Sequence, residues 1–426
     1  MGNSSEMENE LIGKNKHRLL DQLSEVRTWR SEDGGSMMKV ERNNLLVFIL
    51  TIGVFGILNT EMGVIGILPL IADQFHVSIS TAGLVVSLFA LAVAISGPTM
   101  PILFSRINRK TTMLLVLGIF ILGNVVSALT SNFTVLLIAR VIPAIFHPIY
   151  VSLAFTVAAT SVNKEEAPKA VSRVFIGVSA GMVLGVPVTS LLATSTSLSM
   201  AMFFFAIVNA VVFLATLLFV PSMPVSEKLS YGAQVSVLKK SITWLSIAAV
   251  IFMNGAVFGV YSYLAEYLET ITKMNWNTIS LLLLIYGSAN IIGNILAGKL
   301  LTKNAFKSVA TFPFALGAIY FIWFLMGHMG VPMTLLVLLW GILAGIGANV
   351  NQYWITSAAP EAPEFANGLF LTSANLGTTI GATVCGFFIS GIGIHYVVFG
   401  GFLFLILSSV SIFLRNAIYH PMKQNP

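Results

Sequence analysis

The chain has 426 residues, of which 56% are hydrophobic and 9% charged, with a formal net charge of +6. Soluble globular chains average about 25% charged residues, so this composition excludes an ordinary soluble domain and points to lipid. The basic excess does not indicate nucleic acid, because the Lys and Arg residues are dispersed over many turns and form no single patch.

Residues 1–44 read as a polar arm that mixes acids and bases, with no apolar segment of the secretory type before the first span. Met37 and Met38 offer an alternative start. Six apolar runs follow, at Leu45–Leu70, Thr81–Phe104, Thr112–Leu129, Phe133–Val157, Val174–Leu192 and Met200–Val220. Residues 221–241 form the longest internal polar connection. Six more runs lie at Trp244–Leu264, Ile279–Leu300, Val309–Met326, Met333–Ser357, Gly368–Gly391 and Tyr396–Leu414. Each run is close to the ~20 residues that a helix needs to cross the hydrocarbon. The expected organisation is a bundle at 45–220, a central loop at 221–241, a second bundle at 242–415 and a tail at 416–426.

Of 23 Lys and Arg, 21 fall in the arm, the even-numbered connections or the tail; Lys273 and Arg140 are the exceptions. Short basic loops stay cytoplasmic. Both termini and the loop around Lys228 are therefore expected in the cytoplasm, and the number of spans must be even. Two six-helix halves around a midplane site are the layout of many secondary transporters. The halves echo each other weakly: GPTMPILFSRINRK closes the second span and GNILAGKLLTKNAFK the eighth. Pro69, Pro101, Pro143, Pro148, Pro187 and Pro313 lie within or near spans, where proline kinks a helix.

A resemblance runs from about Asn59 to Gly393. Its residues are NTEMGVIGILPLIADQF in the first span, ARVIPAIFHPIY in the fourth, GVSAGMVLGVPVT in the fifth, YGSANIIGNILAGKL in the eighth and FANGLFLTSANLGTTIGA entering the eleventh. Together and in order they resemble the major facilitator superfamily, and more narrowly its twelve-span drug:proton antiporter branch of AraJ-type, sugar-efflux and purine-efflux exporters. The resemblance implies an all-α membrane protein with the major facilitator fold and proton-coupled efflux. In the second-to-third turn, Arg106, Arg109 and Lys110 match the superfamily's basic motif and are the expected cytoplasmic gate. Pro101, Ser105 and Asn108 stand where that motif carries Gly, Asp and Gly. The missing acid removes the charge partner on which such a gate would rely.

Glu61 is the only acid well inside a run, and Arg140 the only base inside one. Ionised side chains are costly in hydrocarbon, so such residues suggest function by default. Counting ~1.5 Å per residue from opposite membrane faces puts both in the outer half at similar height. Pairing with Glu61 is the expected arrangement, with a static Arg140 bonded to main-chain carbonyls as the alternative. His147, seven residues past Arg140 on the same face, suits either proton relay or a neutral hydrogen-bonding role in the cavity. The glycines Gly177, Gly181 and Gly185, with Pro187, form a stripe that lets another helix approach closely, and the resemblance identifies it with the antiporter signature of the fifth helix. Among the amides of the second half, Asn254, Gln352 and Asn375 are expected to line the substrate cavity. Tyr261 and Tyr263 fit an interfacial belt as well as cavity lining. Cys385, the only cysteine, excludes an intramolecular disulfide and is expected to pack as a small hydrophobe.

No phosphate-binding glycine loop, HExxH or cysteine cluster occurs, so neither an enzyme nor a cofactor or metal is expected. The leading expectation is antiport of a small, neutral organic molecule against protons by a monomer in the cytoplasmic membrane. A facilitator or proton symporter of the same fold is the first alternative, and a polytopic sensor the second.

Overall fold

The computed structural model describes residues 42–225 and 230–419. Most of the expected arm, with Met37, Met38, Lys228 and Lys423, lies outside the described residues. Two units are distinguished, Met1–Leu46 and Val47–Pro426, and the second contains the helical bundle. Backbone groups in lipid must be satisfied within the chain, and helices do this throughout. The first half comprises α1 (Arg42–Gln74), α2 (Leu84–Ser96), α3 (Arg109–Leu129), α4 (Phe133–Thr160), α5 (Ala167–Ser195) and α6 (Leu198–Phe219). The second comprises α7 (Ser241–Tyr261), α8 (276–303), α9 (305–326), α10 (Gly330–Thr356), α11 (Pro363–Ile392) and α12 (Val397–Tyr419).

Ten helices among the described residues are long and apolar enough to cross a membrane. The two further crossings have local explanations. Trp276–Met326 is one 51-residue stretch, but Asn304 has non-helical φ −161° and ψ 92°. The Asn304 side chain accepts from Lys307 N at 2.9 Å, which caps α9 in the manner expected of Asn at a helix start. The second run, expected as one span, is broken into Ile79–Ala82, α2 and Met100–Phe104. Pro98 and Pro101 cannot donate to a helix ladder, so the chain bends around Thr99. At the bend Gly97 meets Gly368 of α11, and a Cβ on Gly368 would collide with the Gly97 carbonyl.

Prolines sit inside α4 (Pro143, Pro148), α5 (Pro187) and α9 (Pro313). In α1 the helix narrows to a 3-10 turn at Val64–Ile67, with Pro69 in the first turn of the closing segment Leu68–Gln74. Within the second half, α7 packs on α11 and α12, and α8 and α9 on α10. Across the halves, α5 packs on α8 and α10, and α4 and α2 pack on α11.

The central connection is more ordered than a plain polar loop. A short helix at Tyr231–Val235 leads into a 3-10 turn at Ser236–Lys239. Gln234 donates to Ser105 at 2.8 Å, and Arg106 lies over the Tyr231 ring at 4.6 Å. α12 continues to Tyr419, past residue 416 where the tail is expected to begin.

Candidate functional site

Glu61 lies one turn before the 3-10 segment of α1. Its Oε2 is 3.2 Å from Nε2 of His147, with side-chain exposures of 16% and 5%. Neither His147 ring nitrogen makes a hydrogen bond, so the two groups are close without hydrogen-bond alignment. Phe89 meets the His147 ring edge-on at 6.2 Å and lies under the Arg140 guanidinium at 5.3 Å.

Arg140 does not close the expected pair with Glu61. It donates through Nη2 to the Thr60 carbonyl at 2.7 Å, while Nε and Nη1 have no hydrogen-bond partner. The Glu61 charge still acts on Arg140, but the two form no direct ion pair. Glu61 meets the imidazole, and the guanidinium takes the preceding peptide. Thr60 is held in place by side chains that sequence reasoning passed over. Asn209 of α6 donates to its hydroxyl at 2.9 Å, and Asn124 of α3 at 3.4 Å.

The α5 stripe packs on this same stretch of α1. A Cβ on Gly177 would collide with the Thr51 carbonyl, and one on Gly181 would stand 2.7 Å from Leu58 Cβ. At Gly185 the neighbours are Asn59 and Gly63. Pro187 lies two residues further along α5. The four-residue spacing therefore has a defined partner, the helix that carries Glu61.

The amides of the second half are largely bonded to protein. Asn254 ties α7 to α11 by donating to Ala374 O at 2.7 Å and Thr378 at 3.2 Å, and it accepts from Asn351 at 3.2 Å. Gln352 donates to Asn367 at 2.8 Å, and Asn367 donates to Thr156 of α4 at 3.2 Å. The adjacent Asn351 and Gln352 thus diverge to different helices. Asn375 is exposed, its amide turned back to Leu371 O at 2.9 Å.

Of these bonds only Asn367 to Thr156 joins the two halves, and it belongs to a wider latch between them. Ser179 of α5 donates to Asn290 of α8 at 2.6 Å and accepts from Asn294 at 2.7 Å. Arg109 pairs with Glu364 in the first turn of α11, Nε to Oε1 2.9 Å. Beside the latch, Lys240 of the central connection pairs with Glu361 of the second half. Burial pushes the Glu361 carboxyl up, but the bond and charge of Lys240 outweigh it and hold the group below the usual carboxylate range. Within the first half Lys110 Nζ caps the Leu217 carbonyl at 2.9 Å, and Asn108 Nδ2 ties the α2–α3 turn to Ser222 of the central connection at 2.8 Å. The acid absent at Ser105 is therefore replaced, as partner of Arg109, by Glu364 from the other half. Sequence inspection missed Glu364 because the pair spans 255 residues; its signal is an acid at the start of the FANGLF run.

Arg415, which follows the last apolar run, is buried. Nη1 donates to Ser246 at 2.9 Å and Trp354 O at 2.6 Å, and Nη2 to Ser357 at 2.8 Å. Its guanidinium stacks 3.6 Å from the Trp354 ring. Arg140 is consequently not the only buried base. Among the described residues no group of three His, Cys, Asp or Glu could hold a metal ion.

A bundle of twelve crossings, two facing halves and ionisable groups buried between helices define a polytopic membrane transporter. Residues 50–363 match the model of the Major Facilitator Superfamily, and the chain belongs to that family. It is 29% identical over 374 residues to YtbD, an uncharacterized MFS-type transporter of Bacillus subtilis (strain 168), covering 86% of this chain and 94% of the relative. It is 27% identical over 360 residues to a probable sugar efflux transporter of Helicobacter pylori (strain ATCC 700392 / 26695), covering 83% and 91%. The crystal structure of the MFS transporter FucP in the outward conformation superposes with a TM-score of 0.72 at 18% identity, covering 86% and 98%. These are transporters, not enzymes, and the fold is that of the superfamily.

Proposed function

We propose that this protein is a proton-coupled exporter of small, neutral, hydrogen-bonding organic molecules across the cytoplasmic membrane. The termini and basic turns face the cytoplasm, and the bundles at 45–220 and 242–415 rock around a central cavity. The observation that carries the reading is Glu61 against His147 at 3.2 Å inside the first half. An acid kept within the bilayer against its cost points to use, and acid and imidazole can pass one proton between them. Arg140 supplies a fixed positive charge beside them and makes the occupancy of that proton sensitive to what else is bound.

The latch gives this proton a direction. It joins the halves at the basic end, which the positive-inside pattern assigns to the cytoplasm. Glu61 keeps partial exposure in this state, which suits proton entry from outside. Opening of the latch then exposes the site to the cytoplasm, where substrate binding and proton release exchange. Export is further supported by the H. pylori relative, which is named a sugar efflux transporter. A neutral substrate follows from charge: Glu61 and Arg140 largely cancel, leaving amide, imidazole and aromatic groups. Exchange of a neutral molecule for a proton moves net charge and responds to membrane potential. A monomer in lipid suffices, because the cavity lies between halves of one chain.

The test uses inverted vesicles with a pH-sensitive dye and a panel of neutral compounds against ethidium. Addition of a neutral substrate should release the proton gradient, and Glu61→Gln should abolish this while leaving the protein folded and able to bind. Full antiport in Glu61→Gln at unchanged pH dependence, or export of ethidium alone, would overturn the proposal.

A further inference from the structure

The second half presents an aromatic face that no part of the latch uses. Tyr261 of α7 stacks on Tyr286 of α8, centroids 4.7 Å apart and planes 25° from parallel. Trp340 of α10 closes the group, 5.0 Å from Tyr286 and 6.1 Å from Tyr261. Tyr261 is half-buried, whereas Tyr286 and Trp340 are 5% and 0% exposed. The buried hydroxyl of Tyr286 has no hydrogen-bond partner. Trp340 Nε1 in the same group is also unbonded, whereas Tyr320 donates to Ala256 O at 2.6 Å and Tyr263 to Ala382 O at 3.0 Å. Leaving a buried hydroxyl unbonded is unfavourable, so a cradle that keeps one is suited to a group that arrives from elsewhere.

The height of this face follows from α5, which both halves share as a wall. On one side Gly181 and Gly185 meet Leu58, Asn59 and Gly63 of α1, bracketing Glu61. On the other, Val183 meets Gly287, the residue after Tyr286. Tyr286 thus stands at the level of Glu61, across α5 from it.

We infer that Tyr261, Tyr286 and Trp340 form the substrate-recognising face of the second half, and that the ligand is a planar, uncharged, unsaturated ring compound. Its ring stacks on Tyr261, and a ring carbonyl or nitrogen pairs with the Tyr286 hydroxyl. This rests on the reading of the chain as an exporter of neutral molecules and narrows it: a flat aromatic platform favours a π-faced ring over a puckered sugar.

Binding to purified protein in nanodiscs, at fixed pH and without a gradient, tests the inference. The planar probes are uracil, nicotinamide and hypoxanthine, and the puckered one is L-arabinose. At least one planar probe should bind and arabinose should not. Tyr286→Phe keeps the stack and should weaken that binding roughly 3- to 10-fold, the range for one hydrogen bond. Tyr261→Ala should weaken it about 10-fold or more, as loss of ring stacking does. Tyr263→Phe, whose hydroxyl serves α11, should bind as the wild type. Equal affinity in Tyr286→Phe and Tyr261→Ala, binding of arabinose alone, or no planar ligand at all would overturn it. Failure of the coupling proposal shows separately, as a Glu61→Gln protein that still exchanges substrate for protons.

Discussion

Replacing Glu364 by Gln removes a charge from the latch while keeping its shape. Arg109 Nε is 2.9 Å from Glu364 Oε1, with side chains 25% and 8% exposed. A hydrogen bond to a charged group contributes about 1.5–3 kcal/mol net when buried, and an exposed ion pair about 0–1 kcal/mol. The amide oxygen of Gln still accepts from Arg109, so the loss should be about 1 kcal/mol. That shifts the equilibrium between latched and unlatched states by roughly five-fold. Accessibility at Ser152 reports the shift, because Ser152 is fully buried and lines the cleft beside Glu364. In a Cys385→Ser background, Ser152→Cys should react with a cytoplasmic maleimide roughly five times faster when Glu364→Gln is added. Arg109→Gln in the same background should give a similar rate, and the double variant little more. An unchanged or slower rate in Glu364→Gln would refute the role of this pair in holding the halves together.

Gly181→Leu should drive α5 from α1, since even a Cβ there stands 2.7 Å from Leu58 Cβ and 3.0 Å from the Phe55 carbonyl. A thermal melt should show the cost of overpacking, about 1–3 kcal/mol, and Gly232→Leu, with open space around it, should match the wild type. Arg415→Met leaves Ser246, Ser357 and the Trp354 carbonyl without their donor and should cost about 2–4 kcal/mol; an unchanged melting temperature would reject that role. Glu361 has its proton affinity lowered by Lys240 in the folded chain, so this pair stabilises above the free carboxyl pKa and is lost only as pH falls through the depressed one. Lys240→Gln should therefore leave the pH profile of transport between 6 and 8 unchanged, about two units above any free carboxyl. Reporter fusions at Lys273 and beyond Leu414 should place the first outside and the second in the cytoplasm.

Much of this molecule is legible along one dimension. Hydrocarbon admits only apolar stretches of helical length, so twelve runs and their dispersed basic turns are enough to give the class and the expected orientation, while the fold follows from the family resemblance. The α5 glycines at four-residue spacing announce a close helix contact, because that spacing keeps them on one face. Glu61, Arg140 and His147 stand out for the same reason, since polar groups are rare where water is absent.

Who meets whom is a different matter, and only the packing of distant helices decided it. Arg140 and His147 share one face of α4, and the packing of α1 against it brings Glu61 to the histidine while the arginine takes the Thr60 carbonyl. Ser105 makes the basic turn look unpartnered until α11 brings Glu364 to Arg109 from the other half. Arg415 reads as a charge just past the last apolar run because helix extension past a span leaves no local mark, yet Ser246, Trp354 and Ser357 enclose it. Asn254 and Gln352 are polar in a span for reasons the chain does not distinguish, and both bond to neighbouring helices. Hydrophobicity and charge act residue by residue and so are written into the sequence, whereas a hydrogen bond or ion pair needs two groups within about 3 Å, a condition that only the tertiary arrangement can meet.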